Sequence, residues 1–242
     1  MSCYGPLAQW YDQLTGDVPY SEFADFYEAE FADDGGEFRL LLDLCCGTGT
    51  LTAMMTERGY ELIGVDSSFE MLMQAREKAA GLETPPLFLC QDAAELDLYG
   101  TVDAAYCSLD GMNYLPPETL PELFHKLRLF IRPGGLFIFD IRSPQWRASM
   151  DGQVYVDEQE DVLCLWRADM DQDEGLVVYG MDIFSAEGQL WRRESEEHVE
   201  YIYDFDELKE LLENEGFEDI RLCENAPQSQ LGRQFIHAKR GN

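Results

Sequence analysis

Gly47, Gly49, Asp66 and Asp92 are the residues whose types and spacing could hold a nucleoside. The run Leu40-Leu41-Leu42-Asp43-Leu44-Cys45-Cys46-Gly47-Thr48-Gly49-Thr50 passes from an apolar strand pattern straight into a tight Gly-Thr-Gly turn. A backbone without Cβ adopts strained dihedrals and lets a ligand approach closely, and a helix beginning near Thr50 aims its unpaired amides at the same turn. A second apolar run, Glu61 to Val65, ends in Asp66, seventeen residues after Gly49. A carboxylate there can accept two hydrogen bonds from a ribose diol. A third run, from Leu87, ends in Asp92 at the same edge of a parallel sheet, so two strand-end carboxylates face one crevice.

The elements that must position these groups follow from periodicity. Ser67-Ser68-Phe69-Glu70 has capping-box spacing, and Met71, Leu72, Ala75 and Ala79 keep a helical apolar stripe behind it, which makes a β-α-β crossover. A helix from Glu118 carries Leu120, Leu123, Phe124 and Leu127 on one side and His125 on the solvent side. Pro133-Gly134-Gly135 stops that helix and leads into a buried strand ending at Asp140. Residues 204–216 read as a last helix with Asp204 and Glu207 at capping-box spacing; 217–223 and 234–238 follow as a closing antiparallel pair, with His237 structural. Between them, residues 150–203 alternate in three stretches separated by turn-rich segments, the pattern of an antiparallel meander. Residues 1–36 are rich in aromatic residues, with helical spacing from Ser21 onward.

In the order of these parts the chain resembles the class I S-adenosylmethionine-dependent methyltransferases, by motif over residues 38–142. The resemblance implies an α/β fold: a doubly wound, mostly parallel, seven-stranded Rossmann-like sheet carrying an inserted antiparallel β meander. It divides the chain into an N-terminal arm and cofactor-binding core (1–149), an inserted lid or substrate subdomain (150–203) and a C-terminal helix and hairpin that complete the core (204–242). It implies that Asp43, Cys45, Gly47, Thr48 and Gly49 line the methionine half of S-adenosylmethionine. Asp66, followed by Ser67, would meet the ribose, Met71 the adenine face, Asp92 the adenine amino group and the Ala93 amide a ring nitrogen, while Ser108 and Leu109 approach the sulfonium. Cys45 stands where the family usually has Gly or Ala. Tyr4, Tyr11 and Tyr20 would belong to an arm folding over the cofactor. More narrowly, the Tyr4–Asp12 opening and the β-rich insert resemble a bacterial small-molecule subgroup laid out like the deoxysugar N,N-dimethyltransferases. Those sugar enzymes carry a His soon after the fourth strand; here Asp110-Gly111-Met112-Asn113-Tyr114 has none.

Several other functions lose support. A dinucleotide oxidoreductase wants a third glycine three residues after Gly49, and Thr52 stands there. Amide and adenine-amino methyltransferases carry a Pro-Pro-Tyr segment after the fourth strand and cytosine-carbon enzymes a Pro-Cys nucleophile; neither occurs. The 242 residues hold 48 acids against 17 bases, a formal charge of −31 spread along the chain. Phosphate backbones and anionic membranes need clustered Lys and Arg, so no nucleic-acid or membrane partner is expected, only a small-molecule acceptor methylated on N or O. Seven cysteines without C-x-x-C spacing read as reduced core residues of a cytoplasmic protein, and no metal site is expected. A noncatalytic S-adenosylmethionine-binding or interaction module is the alternative. No residue is singled out as a base. The candidates are Tyr11, Tyr20, Asp110, Tyr114, Asp140 and His198, with Asp140 equally able to pair with Arg142 or cap a turn, and His198 read as part of a surface ion pair. Trp146, Trp166 and Trp191 could cage an alkylammonium group or form the core of the insert.

Overall fold

The computed structural model describes residues 4–242. Its main sheet has seven strands: β1 (Leu40–Leu44), β2 (Glu61–Asp66), β3 (Leu87–Cys90), β4 (Val102–Cys107), β5 (Ile131–Arg142), β10 (Phe217–Leu222) and β11 (Arg233–Arg240). They lie in the order β10-β11-β5-β4-β1-β2-β3. β11 runs antiparallel to both neighbours, and the pairs among β1 to β5 are parallel. Because the chain leaves β1 toward β2 on one side and returns to β4 on the other, the strand order reverses at β1, where an open α/β sheet leaves a crevice at its carboxyl edge.

Alternation along the strands buries both faces. Leu42, Ala105, Phe137 and Phe139 pack with Leu123, Phe124 and Leu127 of α5 (Leu120–Phe130) and with Leu208 and Leu212 of α7 (Phe205–Asn214). Leu41, Ala104, Tyr106 and Ile138 face the other way, onto Phe23, Tyr27 and Phe31 of α2 (Tyr20–Asp34) and Leu51 and Met55 of α3 (Thr50–Glu57). α4 (Phe69–Ala79) is capped by Ser68, whose hydroxyl accepts the Met71 amide at 3.2 Å. Asp204 caps α7. α1 (Tyr11–Leu14) lies in the N-terminal arm.

A second, four-stranded antiparallel sheet holds β6 (Val154–Glu158), β7 (Val162–Asp171), β8 (Leu176–Glu187) and β9 (Leu190–Tyr201). Its inner face packs on the arm: Leu7 and Leu14 cluster with Val162, Cys164, Met181 and Ile183.

Some elements depart from the sequence reading. The Pro133-Gly134-Gly135 segment does not precede β5 but forms an irregularity within it, where the pairing with β4 slips between Val102 and Ala104. A short helix α6 (Pro144–Met150) and strand β6 have no counterpart in that reading. Among the cysteines, Cys107 and Cys164 are buried as expected, while Cys90 is exposed; Cys3 lies outside the described residues. Among the described residues, no helix is long and apolar enough to cross a membrane.

Candidate functional site

A cavity of about 480 Å³ opens at the carboxyl edge beside β1. Every cofactor residue implied by the resemblance borders it except Gly49. Gly49 lies beneath the turn at φ +68°, where a Cβ would come within 2.8 Å of Ala75 Cβ; its role is to let α3 and α4 approach. Gly47, at φ +55°, has no atom within 4 Å of its missing Cβ, so that side of the turn is open. Cys45 also sits in the left-handed region, at φ +57°. That conformation explains why glycine suits the position, and here a side chain bears the strain.

Asp66 is committed before any ligand arrives. Its two oxygens accept the Gly47 and Ser68 amides, each at 2.8 Å, so it fastens the glycine turn to the start of α4. Burial raises its pKa, opposed by those amide bonds. Asp92 is exposed and caps the turn after β3 by accepting the Ala94 amide at 2.9 Å. Asp43 is 2 % exposed, and its carboxyl accepts the Thr52 hydroxyl at 2.5 Å. The residue that breaks a dinucleotide fingerprint thus orients this acid. Burial, with a smaller contribution from Asp66, pushes the Asp43 pKa up to about 7 against the opposing hydrogen bond from Thr52, and no Arg or Lys offsets the effect. Ser108 is held by a 2.7 Å hydrogen bond to Tyr27.

The arm reaches this cavity. Tyr4, Tyr11 and Tyr20 all line it. Asp12 clamps the arm to the turn, accepting the Thr48 hydroxyl at 2.6 Å and pairing with Lys78 of α4 at 2.7 Å. Burial raises the Tyr11 pKa well above 10 and moves Tyr20 to about 12, so neither phenol is a base by itself.

A second cavity, about 380 Å³, lies under the meander. Trp146, Tyr155, Trp166 and Tyr179 form walls, Asp110, Arg147 and Glu200 supply charge, and Tyr114 borders both cavities. Trp191 does not join them; it is 54 % exposed on the β8–β9 hairpin, so the three tryptophans form no common cage.

Of the remaining base candidates, Asp140 takes the second of its two expected places, capping a turn, and His198 lies elsewhere than expected. Asp140 does not pair with Arg142: its partner is the buried Arg233, and its two oxygens accept the Leu109 and Asp110 amides at 2.8 and 2.7 Å. Leu109 and Asp110 are both at φ +57°, so Asp140 and Arg233 hold a strained turn at the end of β4. Burial works to raise the Asp110 pKa, but Arg233, Arg142 and Arg147 overcome it and hold the carboxyl at about 2. A carboxylate so stabilised is a poor base. His198 is not on the surface; it is 1 % exposed, with Tyr114 on one ring nitrogen and Glu196 on the other. His125 is exposed beside Glu215 and His237 is buried against Glu30, as the sequence implied. The sequence reading missed Arg147, Glu196, Glu200 and Arg233. For Glu196 and Glu200 the signal was alternation, since they fall with His198 on one face of β9; Arg147 on α6 and Arg233 on β11 had no such pattern.

This geometry, a doubly wound sheet with a glycine turn after β1 and an acid after β2, is that of a nucleoside-binding crevice at the switch point of an open α/β sheet. The methyltransferase domain family matches residues 41–135. The Bacillus subtilis (strain 168) protein YqeM, which carries the provisional name of a methyltransferase, is 31 % identical over 98 % of this chain and 97 % of its own length. An S-adenosylmethionine-dependent methyltransferase from Clostridium acetobutylicum ATCC 824 superposes with a TM-score of 0.85 over the whole of both chains at 27 % identity. The sugar N-methyltransferase KedS8 from Streptoalloteichus sp ATCC 53650 shares the fold, with a TM-score of 0.83 over 100 % of this chain and 97 % of its own, at 20 % identity. The chain belongs to the class I S-adenosylmethionine-dependent methyltransferases, and S-adenosylmethionine is its cofactor.

Proposed function

We propose that this enzyme methylates a nitrogen or oxygen atom of a small molecule seated in the cavity under the meander. The observation that carries the reading is the meeting of the two cavities at Tyr114, one bounded by the glycine turn and the other walled by aromatic side chains of α6 and the insert. Residues 150–203 then act as the acceptor-selecting subdomain, between a core and arm (1–149) and a closing C-terminal unit (204–242).

The residues present fit the cofactor. The open face at Gly47 admits a close backbone approach, and Asp43 is a buried acid whose raised pKa would fall beside a cationic ligand. We assign Asp43, Cys45, Gly47, Thr48, Ser108 and Leu109 to the methionine end, and Asp66, Ser67, Met71, Asp92 and Ala93 to the nucleoside. Gly49 acts from below, by close packing. When bound, S-adenosylmethionine supplies an activated methyl group on a sulfonium. What the chain itself contributes is alignment of the acceptor and exclusion of water, through the arm on one side and the meander on the other. Trp146, Trp166 and Tyr179 supply aromatic lining and Arg147 and Glu200 polar groups, a lining suited to a compact polar molecule.

The test is incubation with methyl-labelled S-adenosylmethionine and a fractionated extract of the source cell that holds small-molecule, nucleic-acid and protein fractions, followed by mass spectrometry of the labelled product. A labelled compound whose formation is lost in Trp166→Ala, with cofactor binding retained, supports the reading. Label found only in nucleic acid or protein overturns it.

A further inference from the structure

Tyr114, which borders both cavities, is also the middle of a buried chain of hydrogen bonds. Tyr4 of the arm donates its hydroxyl proton to Tyr114 Oη at 2.7 Å. Tyr114 Oη lies 3.1 Å from His198 Nδ1, and His198 Nε2 lies 2.9 Å from Glu196 Oε2. The other Glu196 oxygen accepts the Leu7 amide at 2.8 Å. A carboxylate only accepts, so the network assigns the imidazole proton to Nε2 and leaves the Nδ1 lone pair facing Tyr114. The His198 and Glu196 side chains are 1 % and 6 % exposed, so bulk water does not compete for these bonds.

Resting on the reading that the second cavity holds the acceptor, we infer that Tyr114, backed by His198 and Glu196, takes the proton that the acceptor atom sheds during methyl transfer. The acceptor N–H or O–H bond breaks as an O–H bond forms on Tyr114. Tyr114 gives its own proton to His198 Nδ1 in the same event; the acceptor's lone pair forms the bond to the methyl carbon, and the electron pair of the broken N–H or O–H bond stays on the acceptor atom. The positive charge comes to rest on the imidazole opposite the Glu196 carboxylate, and Tyr114 ends neutral. The coupling is required, because burial pushes the pKa of Tyr4 and of Tyr114 well above 10, and an isolated phenolate would not form. Tyr114 is thus the catalytic residue, and His198 and Glu196 are positioning residues that act through it. The segment after β4 has no His; the imidazole arrives from β9.

The first test needs no acceptor. In protein labelled with ¹⁵N at histidine, with His198→Gln used for assignment, His198 is expected as the neutral Nε2–H tautomer, with an Nδ1 resonance that moves in Tyr114→Phe. The Nδ1–H tautomer would reverse the chain and overturn the inference. The second test uses the active fraction of the small-molecule extract with S-adenosylmethionine. Tyr114→Phe and His198→Gln should each lower kcat by on the order of 10²-fold, leave KM and S-adenosylhomocysteine affinity within about threefold, and combine in the double variant without further loss. Variants whose kcat matches an active wild type, or whose loss lies in KM alone, overturn the inference and leave the acceptor reading intact. A wild type that binds cofactor but forms no S-adenosylhomocysteine with any fraction removes the acceptor reading, and the inference with it.

Discussion

Asp43 and Asp66, two acids on neighbouring strands, do different work. The folded protein binds a proton at Asp43 more tightly than the unfolded chain, where the carboxyl titrates near 3.8. The stability it contributes is therefore full below that value and lost as pH rises through about 7. Asp43→Asn should flatten this decline, read as a smaller change in Tm between about pH 5 and pH 8. A cationic ligand favours the ionised carboxyl, so binding of S-adenosylmethionine near neutral pH should release roughly half a proton, seen as a buffer-dependent calorimetric enthalpy that the Asp43→Asn substitution abolishes. Asp66 holds two amides that its removal would orphan. Asp66→Ala should cost about 2–4 kcal/mol in denaturant unfolding, since bonds to a charged acceptor contribute about 1.5–3 kcal/mol each and two on one side chain do not add fully. It should weaken cofactor binding as well. The positions of both acids were legible in the sequence because strand ends can be read from apolar runs. That Asp66 is already bonded to the turn was not, because it depends on where the Gly47 amide points.

At the level of elements, the arm and the meander are one assembly. Leu7 and Leu14 bury themselves on β7 and β8, and Glu196 of β9 holds the Leu7 amide. Excising the insert would therefore unseat the arm along with the cavity under the meander, so point substitutions are the cleaner probe of either. The clamp of Asp12 on Lys78 and Thr48 is such a place. Lys78 and Asp12 are 28 % and 45 % exposed, so the pair is screened by solvent and contributes no more than about 1 kcal/mol. Lys78→Met should leave Tm within a few degrees, weaken S-adenosylhomocysteine binding about two- to fivefold by loosening the arm, and speed amide exchange over residues 5–18. Unchanged exchange there would show that the clamp does not hold the arm. The meander was readable from alternation and turn residues. α6 was not: its only sequence marks are Ser143 before Pro144, a capping residue with proline at the first helical position, and a seven-residue helix gives too little periodicity to find.

The whole molecule carries a charge of −31, yet its buried ionic centre is balanced. Asp110, Asp140 and Glu200 meet Arg142, Arg147 and Arg233 where the carboxyl edge of the main sheet faces the insert. No local pattern predicts this cluster, because its members come from the end of β4, β5, α6, β9 and β11 and are joined only by the completed fold. Arg233 is its anchor: a C-terminal strand supplies it, and it touches both Asp110 and Asp140, which set the strained turn beside the cavity at β1. Removing one partner leaves buried carboxylates without compensation, whereas an exposed pair of this chain would lose little. Arg233→Met should therefore cost about 3–5 kcal/mol, lowering Tm by on the order of 10 °C in a domain of this size. Part of that loss should return in the double variant Arg233→Met, Asp140→Asn, since the second change removes the charge left unpaired. A single variant that melts with wild type would show that the carboxylates find their compensation elsewhere, and that the carboxyl edge is not held from the C-terminus.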